Sequence, residues 1–268
     1  KRFLVADEVG LGKTLIARGI LAKALEHLTT RVSRIDVVYV CSNLAIAQQN
    51  IARLNPVPDL KFAKAGRVTL LPLSMQALQT SRVNFVAFTP GTSLDMGNSL
   101  GTAQERQLLH AMLSRHWNLR GTASLNVLQG NVTDTERFRE RAFQIAEAAV
   151  SPDIEQAFRS ALGRQPELRT DFEDVCSRFQ RQRAQVPEED RRVRNAIVGK
   201  LRTVLAATCI GALEPDLIIL DEFQRFKVLL DRNSEQGELA RHLFEWSNEH
   251  TAARVLLLSA TPYKAYTL

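Results

Sequence analysis

The chain's 268 residues are 45% hydrophobic and 24% charged, ordinary for a soluble globular protein and enough for one large core or two smaller ones. No apolar run approaches the roughly 20 residues of a membrane span and no signal-peptide pattern opens the chain, so a cytoplasmic protein without a membrane partner is expected. A net charge of +6 and a pI near 9.5 permit a polyanion partner without requiring one, and three scattered cysteines (Cys41, Cys176, Cys209) suit reduced thiols better than a disulfide framework or a metal site.

Arg2 to Ala6 reads as a strand, and Lys13 to Leu28 as a helix with apolar residues at Leu15, Ile16, Ile20 and Leu21. Because a strand and a glycine-rich loop open the chain at once, an excised piece cut at both ends is expected. Asp36 to Cys41 (DVVYVC) reads as a buried strand, followed by a helix from about Leu44 to Leu54 that Asn55-Pro56-Val57-Pro58 ends. Val68 to Leu71 and Asn84 to Phe88 read as two more short strands.

Between about Leu100 and Leu205 the text turns helical, as in TERFRERAFQIAEAAV and EEDRRVRNAIVGKLRTVLAA, with nearly balanced charge. Sheet text returns at Asp216 to Leu220 (DLIIL) and Arg254 to Leu258 (RVLLL), with a helix from about Glu238 to Asn248 between them. Strands alternating with helices predict an α/β fold with a mostly parallel sheet flanked by helices. The predicted organisation is a first part over residues 1–99, a helical insertion over 100–205 before the acidic strand, and a second part over 206–268.

Three motifs carry chemistry. ADEVGLGKT, Ala6 to Thr14, lies between a strand and a helix. Gly10 and Gly12, with Leu11 between them, let backbone N–H groups approach phosphate oxygens, and the helix from Lys13 aims its positive end at the same place. Lys13 suits the β- and γ-phosphates, and the Thr14 hydroxyl suits Mg²⁺. LIILDEFQRF, Leu217 to Phe226, is an apolar strand ending in two acids at the edge where parallel sheets bind ligands. There Asp221 is a candidate Mg²⁺ ligand and Glu222 a candidate to polarise the attacking water. LLLSATPYK, Leu256 to Lys264, places Ser259, Ala260 and Thr261 at a strand end about 38 residues beyond the acidic pair.

In this order the motifs resemble the first RecA-like, ATP-binding domain of superfamily 2 helicases and translocases (the DEAD/DEAH-type group). ADEVGLGKT is especially similar to the Swi/Snf-like branch, which carries Asp, as Asp7 here, where other P-loops carry their first Gly. CSNLAIAQQN, Cys41 to Asn50, resembles the family's next motif, and FTPGTSL, Phe88 to Leu94, resembles a later loop that touches the nucleic-acid backbone. DEFQ stands for the usual DEAH or DEAD, so Gln224 occupies the coupling position without a charge. The resemblance covers roughly 160 residues and leaves out the helical insertion.

It implies an ATP-driven motor on nucleic acid, with duplex DNA favoured, and ATP and Mg²⁺ as ligands. It also implies a second RecA-like domain carrying arginine fingers, a glutamine motif that reads adenine, and a setting in prokaryotic defence. Ser42 and Asn43, then Thr89, Gly91 and Thr92, would touch the nucleic-acid backbone, and Ser259, Ala260 and Thr261 would couple hydrolysis to movement. Another P-loop enzyme (AAA-type or a small-molecule kinase) and a non-catalytic scaffold of the same fold are the alternatives. The insertion suits docking a protein subunit better than clamping a duplex, since its charge is balanced. Arg225 and Lys227 suit phosphate, a partner domain or plain surface. His110, His116 and Trp117 are expected to pack, and Cys209 to fill core.

Overall fold

Short aliphatic, β-branched runs build a five-stranded sheet in the computed structural model, which describes residues 2–6, 12–56, 67–94, 96–97, 99–147, 150–183, 185–226, 229, 231, 234–249 and 251–259. The strands are β1 (Arg2–Ala6), β2 (Ile35–Val40), β3 (Val83–Phe88), β4 (Leu217–Asp221) and β5 (Arg254–Ser259). They lie in the order β1-β5-β4-β2-β3, and every pairing is parallel. All six residues of β2 are buried, as suits a central strand covered on both faces. At the margin of the sheet β1 buries only Val5.

The chain separates into two compact units. One comprises Lys1–Val68, Ser74–Asp95 and Leu213–Leu268 and contains the sheet; the other comprises Thr69–Leu73 and Met96–Ala212. Residues 100–205 fall within the second unit.

In the sheet unit, α1 (Lys13–Thr29) and α2 (Leu44–Leu54) share one core with alternate strand residues. Ala17, Leu21, Leu25 and Leu28 of α1 and Ala47, Ile51 and Leu54 of α2 meet Val37 and Tyr39 of β2, Ile219 of β4 and Leu256 of β5. Of the four apolar positions read in α1, Leu21 is buried and Ile20 packs against the core. Leu15 and Ile16 are exposed, because a stripe anchored on Ala17 and repeating every three or four residues excludes positions 15 and 16. The expected strand at Val68–Leu71 is also corrected: Val68–Leu73 forms a 3₁₀ helix containing Pro72, which lacks the N–H a central strand would need. The sheet unit also holds α3 (Met75–Gln79), α4 (Pro90–Ser93) and, between β4 and β5, a helix over Glu235–Phe244.

The helical unit holds α5 (Ala103–Trp117), α6 (Ala123–Gln129), α7 (Thr135–Glu147), α8 (Pro152–Gly163) and α9 (Glu167–Arg178), and α10 (Glu188–Leu213) runs through it to its end. Thr102 and Glu105 form a reciprocal cap at the start of α5. Glu105 also pairs with Arg202 at 2.8 Å, and both side chains are almost wholly buried. Burial opposes the Glu105 charge, but Arg202, the Thr102 N–H and the Thr69 hydroxyl outweigh it and hold the carboxyl below its ordinary value. The remaining Arg202 donors reach the carbonyls of Met96 and Ser99. Gly101 is left-handed, and a Cβ there would stand 2.4 Å from Arg202 Nε. Among the described helices α10 alone is long and apolar enough to cross a membrane, and 61% of its apolar window is buried in the protein, as in a core helix.

The amino-terminal edge of the sheet is tied by buried acids. Asp36 takes Arg34 Nε at 2.7 Å and Asn84 Nδ2 at 2.7 Å. Its main chain exchanges bonds with Asp216, joining the starts of β2 and β4. Burial pushes the Asp36 carboxyl from 3.8 up to about 6, against the charge-favouring Arg34 and Asn84.

Two outcomes follow for stability. Because the folded value of Asp36 is raised, its contribution is complete below pH 3.8 and is lost as pH rises through about 6, a change of roughly 3 kcal/mol at 1.36 kcal/mol per unit. Asp36→Asn should therefore flatten the pH slope of unfolding free energy between about pH 4 and 7, as read by urea titrations. In the helical unit Arg202→Met should cost about 3–5 kcal/mol by removing the cation that faces the buried Glu105 carboxylate, whereas Glu105→Leu with Arg202→Met should cost far less.

Candidate functional site

Parallel pairing brings the carboxyl ends of all five strands to one edge. Ala6 pairs with Ser259, Asp221 with Leu258, and Val40 with both Leu220 and Phe88. Along that edge lie, in order, the ends of β1, β5, β4, β2 and β3. Only β5 separates β1 from β4, so their ends stand about 10 Å apart at ordinary strand spacing.

Following β1, Gly12 is left-handed with φ +87° and starts α1, its carbonyl accepting the Leu15 and Ile16 N–H groups. A Cβ at Gly12 would meet nothing within 4 Å, so conformation rather than space calls for glycine there. Lys13 is half-buried and Thr14 exposed in the first turn. Gly10 and Leu11 of the phosphate-loop motif, and Ala260 and Thr261 of the coupling motif, lie outside the described residues, as do Asp7 and Lys227.

Asp221 closes β4. Tyr39 sits opposite Ile219, two residues before Asp221 and on the same face, a diagonal that a tyrosine can span. The Tyr39 hydroxyl donates to Asp221 Oδ2. Asn50, on the buried face of α2, donates Nδ2 to the same carboxylate oxygen and to the Tyr39 oxygen, each at 3.1 Å. Burial, reinforced by the Asp221 charge, pushes the Tyr39 phenol far above its ordinary value. Tyr39 therefore stays a neutral donor.

Beyond Asp221 the chain turns sharply. Glu222 is left-handed, with φ +53° and ψ 44°, and leads into a 3₁₀ turn over Phe223–Arg225. A non-glycine residue held there costs on the order of 1–3 kcal/mol, strain that clusters at functional sites. Glu222 pairs with Arg225 at 2.9 Å, so this arginine meets the acidic box itself. Gln224 Oε1 accepts from Ser259 Oγ at 3.1 Å, linking the acidic turn to the end of β5.

The expected nucleic-acid residues occupy the other end of the edge. Ser42 and Asn43 are exposed after β2, beside the end of β3, where the Cys41 N–H reaches the Phe88 carbonyl at 3.1 Å. Thr89 is extended, and its carbonyl accepts the N–H groups of Thr92 and Ser93 in the short α4 turn. Its hydroxyl bonds the Thr92 hydroxyl, while Gly91 is exposed.

The other singled-out residues are packed. His110 is buried edge-on to Phe143, and Trp117 lies against Phe172. Burial raises the thiols of Cys41 and Cys209, and that of Cys176 to about 12. No group of three or more His, Cys, Asp or Glu side chains forms a metal cage among the described residues.

Tyr39 and Asn50 are the site residues that sequence reasoning missed. Their signals are faint: one tyrosine in an otherwise aliphatic run, and an amide among Ala47, Ile51 and Leu54 on the buried side of a helix.

Comparison with protein-family models, with curated proteins and with solved structures finds no match. The fold alone places this chain in a class: an α/β protein with a five-stranded, all-parallel sheet flanked by helices, consistent with the Rossmann and RecA-like arrangement.

The Tyr39 environment has a direct readout. In an alkaline titration followed at 295 nm, the chain and its Tyr39→Phe variant should release equal tyrosinate signal through the ordinary tyrosine range near pH 10, and diverge only where the fold is lost.

Proposed function

We propose that this chain is the ATP-binding lobe of a nucleic-acid-dependent ATPase motor, a DNA translocase or helicase working in the cytoplasm. The observation that carries the reading is the shared sheet edge. β1, the strand that the Gly12-Lys13-Thr14 segment follows in the chain, and β4, which ends in Asp221, lie in one parallel sheet with a single strand between them. That spacing suits a triphosphate held at the start of α1 with its metal ion toward β4.

Mg²⁺ fits the residues present. One strand-end carboxylate and one helix-start hydroxyl are oxygen donors of the kind a cation takes when it keeps several waters and shares substrate phosphates. Asp221 and Thr14 would hold it, and it would neutralise phosphate charge. Lys13 would pair with the β- and γ-phosphates. Glu222 would release Arg225 and orient the attacking water. Gln224 and Ser259 would carry the state of the acidic turn into β5.

Nucleic acid would run past Ser42, Asn43, Thr89, Gly91 and Thr92, whose hydroxyl, amide and main-chain groups suit backbone phosphate without reading sequence. A second RecA-like domain would complete the ATP site with arginine fingers, and the helical unit would dock a protein subunit. Prokaryotic defence is the setting that the motif resemblance suggests.

The test is ATP hydrolysis by the full-length protein with duplex DNA, single-stranded DNA or RNA. Duplex DNA should stimulate most, and stimulation by RNA alone would overturn the DNA assignment. Glu222→Gln should lower the rate by about 10²–10⁴ and keep nucleotide binding, while Lys13→Ala should lose both. Residues 1–268 alone should hydrolyse ATP about 10³–10⁵ more slowly than the two-lobed protein. An unchanged rate in Glu222→Gln would favour a scaffold.

A further inference from the structure

The carboxylate of Asp221 is not left to find its own orientation. An aspartate's terminal torsion is broad and roughly two-fold, so a strand-end carboxylate can present either oxygen to a ligand. Here two donors from two different elements converge on one oxygen. Tyr39 from β2 and Asn50 from α2 both donate to Oδ2. Asn50 also donates to the Tyr39 oxygen at 3.1 Å, which directs the phenol hydrogen toward Asp221. The three side chains close a triangle of hydrogen bonds around a single carboxylate oxygen.

Both donors are neutral. They orient Asp221 without cancelling its charge, as an arginine or lysine at the same place would. Both are also anchored: Tyr39 is almost wholly buried in the core shared by α1, α2 and the sheet, and the neighbours of Asn50 on α2, Ala47 and Ile51, belong to that core.

From this geometry we infer that Tyr39 and Asn50 are positioning residues for the divalent cation of the nucleotide site. They hold Asp221 by Oδ2 so that Oδ1 meets the metal. The inference rests on the ATP-site reading above, and it adds two residues that the phosphate-loop and acidic motifs do not contain. Hydrogen-bond partners behind a metal-binding carboxylate are typically worth about 10–100-fold in metal affinity.

The experiment uses the full-length protein and Mn²⁺ as probe. Free Mn²⁺ is followed by electron paramagnetic resonance in the presence of a slowly hydrolysed ATP analogue. Metal-free nucleotide affinity is measured separately with a fluorescent ATP derivative in EDTA, and thermal unfolding is recorded for each variant. Tyr39→Phe, which removes one oxygen and keeps the ring, and Asn50→Ala should each weaken Mn²⁺ binding about 10–100-fold. Metal-free nucleotide affinity should stay unchanged, and Asp221→Asn should lose Mn²⁺ altogether.

Wild-type Mn²⁺ affinity in both variants, with Asp221→Asn still defective, would overturn the positioning role and leave the ATP-site reading standing. A parallel fall in metal-free nucleotide affinity and melting temperature would also overturn it, marking the triangle as a structural tie between α2 and the sheet. Equal Mn²⁺ binding by wild type and Asp221→Asn would instead remove the ATP-site reading, and the positioning role with it.

Discussion

Parallel, in-register pairing of five strands is the constraint on which the rest of this structure depends. It puts the ends of β1, β5, β4, β2 and β3 at one edge, although the residues involved are scattered over most of the chain. Register matters as much as direction. Tyr39 faces Ile219 across the β2–β4 pair, which puts Tyr39 and Asp221 on the same face. A slip of one residue would turn one of them to the other side and break the triangle with Asn50. The buried aliphatic residues on both faces of β2 and β4 make such a slip costly, so the core that stabilises the sheet also aligns the site.

The edge is built from two conformations that the strands themselves cannot supply. Gly12 and Glu222 are both left-handed, one opening α1 and the other reversing the chain after β4. Glycine meets that demand at little cost; glutamate does not. The reversal at Glu222 lets the acidic turn touch both faces of the sheet. Asp221 lies on the face of Tyr39 and Asn50, while Ser259, one residue beyond the partner of Asp221, lies on the other and bonds Gln224. One short turn thus links α2, through Asn50 and Asp221, to the end of β5, through Gln224 and Ser259.

How much of this was legible in the sequence depends on how local the cause is. The five strands were readable because each is an aliphatic run with turn residues at its ends. Val68–Leu71 misled for the same reason, since a short apolar run does not reveal its own period and Pro72 was the contrary signal. In α1 two of the four apolar positions, Ile20 and Leu21, do meet the core, while Leu15 and Ile16 lie off the stripe that Ala17 joins, and a small residue such as alanine gives little signal in a hydrophobic pattern. Gln224 and Ser259 were readable as a pair because both sit in motifs. The Tyr39–Asn50–Asp221 triangle was not, because it joins residues as much as 182 positions apart and exists only once register is known.

Two aspartates at opposite edges of the sheet show why position alone does not define a site. Asp36, at the amino edge, is buried against the cationic Arg34, and its main chain is tied to Asp216. Its charge is paired inside the protein and is disfavoured by burial, so it has little left to offer a ligand. Asp221, at the carboxyl edge, meets a phenol and an amide. Neutral donors fix a carboxylate but leave its negative charge to be answered from outside. A carboxylate held by two neutral donors at the carboxyl edge of a parallel sheet thus differs from one tied to an arginine at the amino edge: the first is oriented, the second is neutralised within the fold.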